Sequence, residues 1–194
     1  MRLKDKVAVV TGGASGFGAG IVRKFIAEGA RVVIADRNLE GGLDLAAQLG
    51  EHTRALRCDV TDPLDVKLML ETAELHFGRL DILVNNAGVT HLPGPLEAVA
   101  EDDFDRIAAV NMKAIYLAMR EVVPRFKAQK SGVVLNMAST AGVSPRPRLS
   151  WYNASKGWVI TATRACAVEL APSGIRVVAL NPVAGETPLL KSFM

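Results

Sequence analysis

The sequence predicts an α/β protein built on a doubly wound parallel sheet. Short apolar runs rich in β-branched residues alternate with longer helical stretches. Most of these runs are continuous rather than alternating in and out, as strands covered on both faces require. Glycine stands just past several of the helical stretches.

Taken in order, the strand-like runs are 7–11, 31–36, 53–58, 82–85, 133–137 and 176–181. Helices are expected between them, near 17–28, 39–49, 63–77, 101–128 and 152–170. Pro63 after Thr61-Asp62 suits a first-turn proline behind a capping residue. Gly29, Gly50 and Gly78 fall where a helix wants a left-handed residue to end it. Six strands joined by five helical crossovers make a right-handed doubly wound sheet.

The 194 residues suit one domain, with no internal repeat, linker or low-complexity segment. A chain this long buries about 70% of its extended surface, so the core needs no staples. With 49% hydrophobic residues and 23 basic against 20 acidic, disorder is excluded. The net charge of +3 is spread along the chain, against a nucleic-acid or membrane partner. Cys58 and Cys166 lie far apart, which reads as two reduced thiols and a cytoplasmic protein. The run Val7 to Val10 after the basic start is too short for a signal-peptide core, and no stretch reads as a membrane span.

After the first strand comes Thr11-Gly12-Gly13-Ala14-Ser15-Gly16-Phe17-Gly18, opening a helix. Glycines there allow a tight turn and close approach of backbone to a pyrophosphate on the positive helix end. A ligand-free glycine turn is the alternative, but the strand–loop–helix context is what a dinucleotide site demands. The second strand ends at Asp36, 18 residues beyond Gly18. A carboxylate there accepts hydrogen bonds from both ribose hydroxyls of NAD and repels the 2′-phosphate of NADP. Arg37 offers that phosphate a countercharge, but Asp36 ends the strand nearest the ribose. NAD is therefore expected.

Tyr152 and Lys156 are four apart and share one helix face. Such a pair arises readily by chance on a surface. What raises it is Ser139, two residues past the fifth strand, and Asn111 in the preceding long helix. Ligands bind at the carboxyl ends of strands in such a sheet, and Ser139 arrives there. Hydride exchange between a carbinol carbon and nicotinamide requires a proton to leave or join the oxygen. A free tyrosine, with a pKa of about 10, would need about 4 kcal/mol to reach about 7. A lysine ammonium and an oxidised nicotinamide are the right perturbers, and the Ser139 hydroxyl can hold the substrate oxygen.

From residue 1 to about 187 the chain resembles the short-chain dehydrogenase/reductase family. Thr11-Gly12, Gly16 and Gly18 are similar to its cofactor glycine motif. Asn85-Asn86-Ala87-Gly88 is similar to its fourth-strand motif, and Asn111 to its helix asparagine. Asn136-Met137-Ala138-Ser139 is similar to its serine segment, with Tyr152 thirteen residues on. The resemblance implies a Rossmann-type sheet of order 3-2-1-4-5-6 with a seventh strand to follow. It implies Tyr152 as acid/base, Ser139 as partner of the substrate oxygen, Lys156 on the nicotinamide ribose, and Asn111 holding a relay water. The cofactor would lie against Gly12, Ser15, Gly16, Phe17, Gly18 and Asp36. Asp59 and Val60 would meet its adenine, and Asn86, Ala87 and Gly88 would line it. Pro182, Val183 and Thr187 would follow at the nicotinamide. One departure stands out: after Asn181-Pro182, Val183 replaces the family's glycine, although Thr187 keeps its register.

His52, His76 and His91 are scattered, so no metal site is expected. Arg146 and Arg148 lie between Ser139 and Tyr152; they suit either recognition of a carboxylate or phosphate or a solvated, proline-stiffened loop. Trp151 either walls the pocket or packs. The group Arg120, Arg125, Lys127 and Lys130 reads as a wet helix end.

The expected activity is NAD-dependent oxidation or reduction of a secondary alcohol or ketone. The alternatives are a 3-oxoacyl-carrier-protein reductase and a cofactor-binding but incomplete fragment. The resemblance further implies a homodimer or homotetramer through the helices near 101–128 and 152–170. It places the start of a substrate lid at about 188–194, and either the chain is expected to continue past Met194 or another chain is expected to cover the edge left by the sixth strand. Strand 176–181 otherwise makes an uncharged edge, Val177 to Leu180, whereas the opposite edge carries Arg54 and Arg57.

Overall fold

Successive side chains of a strand point to opposite faces, so a continuous apolar strand must serve two cores. Strand β1 (Val7–Thr11) does so. Val7 and Val9 join one core and Ala8 and Val10 the other, all fully buried. The computed structural model describes residues 1–185 and Thr187. Its further strands are β2 (Arg31–Asp36), β3 (Thr53–Arg57), β4 (Ile82–Asn85), β5 (Gly132–Met137) and β6 (Ile175–Leu180). All pair in parallel, in the order β3-β2-β1-β4-β5-β6. This is the expected Rossmann-type sheet, with strand ends within a residue of the sequence reading.

Helices α1 (Gly16–Ala27) and α2 (Leu39–Leu49) cover one face through Val22 and Leu45. Helix α3 (Pro63–Phe77) covers the other through Val66, Met69 and Leu70. Each such side chain contributes about 1.5–3 kcal/mol when fully buried. Asp62 caps α3 by accepting from the Leu64 N–H, with Pro63 in the first turn. Gly29, Gly50 and Gly78 have φ of 87°, 82° and 78°, the sign that favours glycine at a helix end. At the amino end of the sheet, Asp81 accepts from the Val7 N–H (3.0 Å) and from Arg79 Nε (2.8 Å). Burial pushes this carboxyl up, but those bonds and the Arg79 and Lys6 charges hold it below its usual range.

The single helix expected over 101–128 is instead three pieces. Helix α4 (Glu101–Ile107) and helix α5 (Ala114–Ala128) are separated by a π-helical segment, Ala108–Lys113. The wider turn carries Asn111 into the interior, where its amide is matched on three sides. Its Oδ1 accepts from the Val89 N–H (2.9 Å), and its Nδ2 donates to the Val89 carbonyl and to Ser155 Oγ (2.9 Å each). A π segment leaves helical periodicity almost intact, so the sequence carries no sign of it.

Helix α6 (Ser150–Leu170) precedes β6. In the described sheet β6 is an edge strand with Val178 and Leu180 about half exposed, at 45% and 51%. The expected lid over 188–194 and the expected seventh strand lie outside the described residues. Strand order reverses between β1 and β4, and a crevice opens there at the carboxyl ends.

Candidate active site

The loop after β1 is shaped by its glycines. Gly12 and Gly16 have φ of +61° and +52°, and a Cβ on Gly18 would overlap the Gly12 carbonyl oxygen. The loop is held from behind by residues after β4. Asn86 Nδ2 donates to the Thr11 and Gly12 carbonyls (2.8 and 3.0 Å). The Asn86 and Ala87 N–H groups donate to Thr11 Oγ1 (2.9 and 3.1 Å), which donates to the Val84 carbonyl (3.2 Å). Sequence reasoning missed this use of Thr11, because its partners lie more than seventy residues away.

The helix that follows is open to an anion. Ser15 is the N-cap of α1 but makes no side-chain cap bond, and the first turn has no acidic residue. By contrast, the Asn38 and Asp62 side chains cap α2 and α3. Unmatched N–H groups and the helix dipole make such an end a fit for phosphate. Beside it, Asp36 accepts from the Ala14 and Asn38 N–H groups (3.0 and 2.9 Å). Arg37 turns to Asp59, with Nε 3.7 Å from Oδ2. Hydrogen bonds from Thr61 hold the Asp59 carboxyl below its usual range. The Val60 side chain packs in the core, so only its backbone could meet a ligand.

An open cleft of about 740 Å³ runs from this helix end past Gly88 to Ser139, Tyr152 and Lys156. Pro182, Val183 and Thr187 close one side, and a Cβ on Gly185 would run into the Phe17 ring. Val183, at the family glycine position, is 68% exposed. Gly12, Gly18, Asp36, Asp59, Val60, Ala87 and Asn111 do not line this cleft; Asp36 is held against the glycine loop through Ala14, and Asn111 sits behind Gly88.

Ser139 begins a short 3-10 turn after β5, and its Oγ accepts from the Ala141 N–H (3.1 Å). Burial pushes the Tyr152 phenol up, while Ser139 and the Arg146 charge act downward. Burial prevails, and the phenol stands above its usual value. Lys156 Nζ lies 5.9 Å from the Tyr152 ring centroid and donates to the Met137 carbonyl (2.8 Å). Burial pushes the Lys156 ammonium down to about 8. Ser155 Oγ links the set, accepting from Asn111 Nδ2 and donating to the Tyr152 carbonyl (2.7 Å). A Cβ on Gly88 would lie 3.4 Å from Lys156 Nζ and 3.5 Å from Asn111 Oδ1, so its bareness keeps that junction open.

A second polar chain was not legible in the sequence. Asn85 Nδ2 donates to Asn136 Oδ1, whose Nδ2 donates to Thr163 Oγ1 (2.9 Å each), fixing β4 and β5 to α6. Trp151 packs rather than walls the cleft, edge-on to Phe104 at 5.4 Å. His91 is buried, with Nδ1 2.7 Å from the Leu92 carbonyl, and does not line the cleft. Among the described residues no group of three or more His, Cys, Asp or Glu could hold a metal ion, and no helix is long and apolar enough to cross a membrane.

Residues 6–194 match the family model described as short chain dehydrogenase, and the chain belongs to that family. It is 45% identical to a 4-formylbenzenesulfonate dehydrogenase of Comamonas testosteroni, over all of this chain and 78% of the relative. It is 40% identical to a 3-alpha-(or 20-beta)-hydroxysteroid dehydrogenase of Mycobacterium tuberculosis, over 97% of this chain and 72% of the relative. The crystal structure of a 3-ketoacyl-(acyl-carrier-protein) reductase from Brucella melitensis, complexed with NADH, superposes with a TM-score of 0.97. It is 49% identical and covers 99% of this chain and 81% of the other. The chain is thus an oxidoreductase acting on CH–OH groups with a nicotinamide cofactor.

Proposed function

We propose that the protein transfers a hydride between NAD(H) and a secondary alcohol or ketone, with Tyr152 as acid/base. The observation that carries this reading is the convergence of Ser139, Tyr152 and Lys156 on one cleft that reaches the uncapped end of α1. The residues present fit a dinucleotide: the Ser15–Gly18 turn takes the pyrophosphate, Asp36 the adenine-side ribose, and Lys156, Pro182, Val183 and Thr187 the nicotinamide end. When bound, nicotinamide supplies the hydride acceptor or donor and, oxidised, a positive charge.

Ser139 holds the substrate oxygen, and Tyr152 takes its proton during oxidation or returns it during reduction. Lys156 stabilises the phenolate, because an ammonium in a desolvated site favours the charged form of a neighbouring acid. Asn111 and Ser155 fix the turn of α6 that carries Tyr152, and Asn111 holds the backbone of Val89 beside Gly88, where a relay water would reach Lys156. Asp36 and the Arg37–Asp59 pairing support NAD over NADP, since the Arg37 guanidinium already faces a carboxylate.

A 3-oxoacyl-carrier-protein reductase is the second reading, favoured by the Brucella relative. That relative was solved with NADH, so cofactor preference does not separate the two; a panel of acyl and non-acyl ketones does. Homo-oligomerisation through α4, α5 and α6 is supported by exposed apolar side chains there, Tyr116 (54%) and Val168 (80%). A cytoplasmic location suits the free thiols Cys58 and Cys166.

The mechanism is tested by Tyr152→Phe. We expect turnover to fall by about 10²–10⁴ while NADH affinity, read by fluorescence titration, stays near that of the native protein. Native turnover in the variant would sink the assignment.

A further inference from the structure

We infer that the substrate carries an anionic group, a carboxylate or similar oxyanion, bound by the guanidinium groups of Arg146 and Arg148. This assigns the substrate class of the cleft described above and so rests on the proposed hydride transfer. Both arginines line the cleft together with Ser139 and Tyr152. Lys156 is a third cation in its wall, and no aspartate or glutamate is found among the described lining residues. Among the described residues neither Arg146 nor Arg148 forms an ion pair, as is also true of Arg23, Arg31, Arg54, Arg164 and Arg176, but only these two of the seven line the cleft.

The loop that carries them is held in place on both sides. The Arg146 carbonyl accepts from Asn153 Nδ2 (2.7 Å), on the same helix as Tyr152. The Arg148 carbonyl accepts from the Gly94 N–H (3.0 Å), and Arg148 Nη2 reaches the Pro93 carbonyl (3.5 Å). Arg148 has φ of +67°, a conformation that costs a non-glycine residue energy and that persists where surroundings impose it, often at ligand sites. Pro145 and Pro147 flank Arg146 and limit the backbone entropy lost when a ligand docks. Five N–H donors on each guanidinium suit a planar oxyanion, and one of these groups already acts on the reacting hydroxyl: the Arg146 charge lowers the Tyr152 phenol. A solvated rim needs neither a fixed loop nor a wall of one sign. Leu149, Pro93 and Val183 in the same wall give the body of the substrate an apolar seat.

The test uses 4-acetylbenzoate and 4-acetylbenzamide, which share a shape and a ketone and differ in charge. Binding of each to the full chain saturated with NAD is read by calorimetry, which needs no turnover. We expect the carboxylate to bind about tenfold more tightly, as one charge-assisted contact gives. That ratio should fall in Arg146→Gln and in Arg148→Gln, approach one in the double variant, and be partly kept by Arg146→Lys. No preference for the carboxylate in the native protein, whether both probes bind or neither does, overturns the inference. So does a preference that survives in the double variant, and so does a loss of NADH affinity there with the preference intact, which would assign the guanidinium groups to the cofactor. The hydride-transfer reading fails separately, if Tyr152→Phe reduces either ketone at the native rate.

Discussion

One turn apart on α6, Tyr152 and Lys156 are moved in opposite directions by the same desolvation. The phenol is pushed up and the ammonium down to about 8, each toward its neutral form. For Lys156 this has a consequence for stability. Its unfolded pKa is about 10.4, so between pH 8 and 10.4 the unfolded chain binds more protons there than the folded one, and this contribution to stability rises with pH. Below pH 8 the penalty of a buried charge is fully present, and above 10.4 it vanishes. Lys156→Met should therefore gain about 1–3 kcal/mol on the native protein at pH 7, less the cost of leaving the Met137 carbonyl without its donor, and that relative gain should shrink steadily from pH 8 to 10.4. Urea denaturation across that range checks it; a pH-independent difference would mean that Lys156 is not desolvated. The pair itself was legible in the sequence, because four residues on a helix share a face. Its supports were not. Thr11, Ser155 and Thr163 are ordinary hydroxyls that each accept from a partner 27 to 75 residues away, and nothing local in the sequence distinguishes them from solvated ones.

At the scale of elements, what separates α1 from α2 and α3 is its unfinished amino end. Asn38 and Asp62 satisfy their helices, a contribution of about 1 kcal/mol each, while Ser15 leaves α1 open. Ser15→Asp should close it. We expect a stability gain of about 0.5–1 kcal/mol without cofactor, together with NADH binding weakened about tenfold or more as the carboxylate meets the pyrophosphate. Thermal denaturation and fluorescence titration read the two effects, and tighter NADH binding would place the pyrophosphate elsewhere. Strands and helices were largely legible, since continuous apolar runs, end glycines and Pro63 are local signals. The break at Ala108–Lys113 was not, because a π segment is set by what its inward side chain meets. Here that is the Val89 backbone and Ser155, and neither can be inferred from the helix that contains Asn111.

Across the whole molecule, the cofactor region is where the two halves of the sheet meet. β1, β2 and β3 contribute the glycine loop and Asp36; β4, β5 and β6 lead to Asn86, Ser139 and Thr187. Thr11 and Asn86 tie the halves together directly behind the loop. A ligand that spans both halves binds the folded sheet and not the unfolded chain, so it stabilises the whole domain by about 2.7 kcal/mol at a hundredfold excess over its Kd. On the function proposed above, Asp36 makes that stabilisation selective. Its carboxylate would stand at the adenine end, with Arg37 drawn to Asp59, so a 2′-phosphate would meet an acidic group and an Arg37 guanidinium already facing a carboxylate. NADH should therefore raise the melting temperature of the native protein more than NADPH at equal concentration. Asp36→Ala should narrow the gap from both sides, losing the ribose contact for NADH and the repulsion for NADPH. A larger shift with NADPH in the native protein would overturn the preference for NAD and show that Arg37 leaves Asp59 to meet the phosphate.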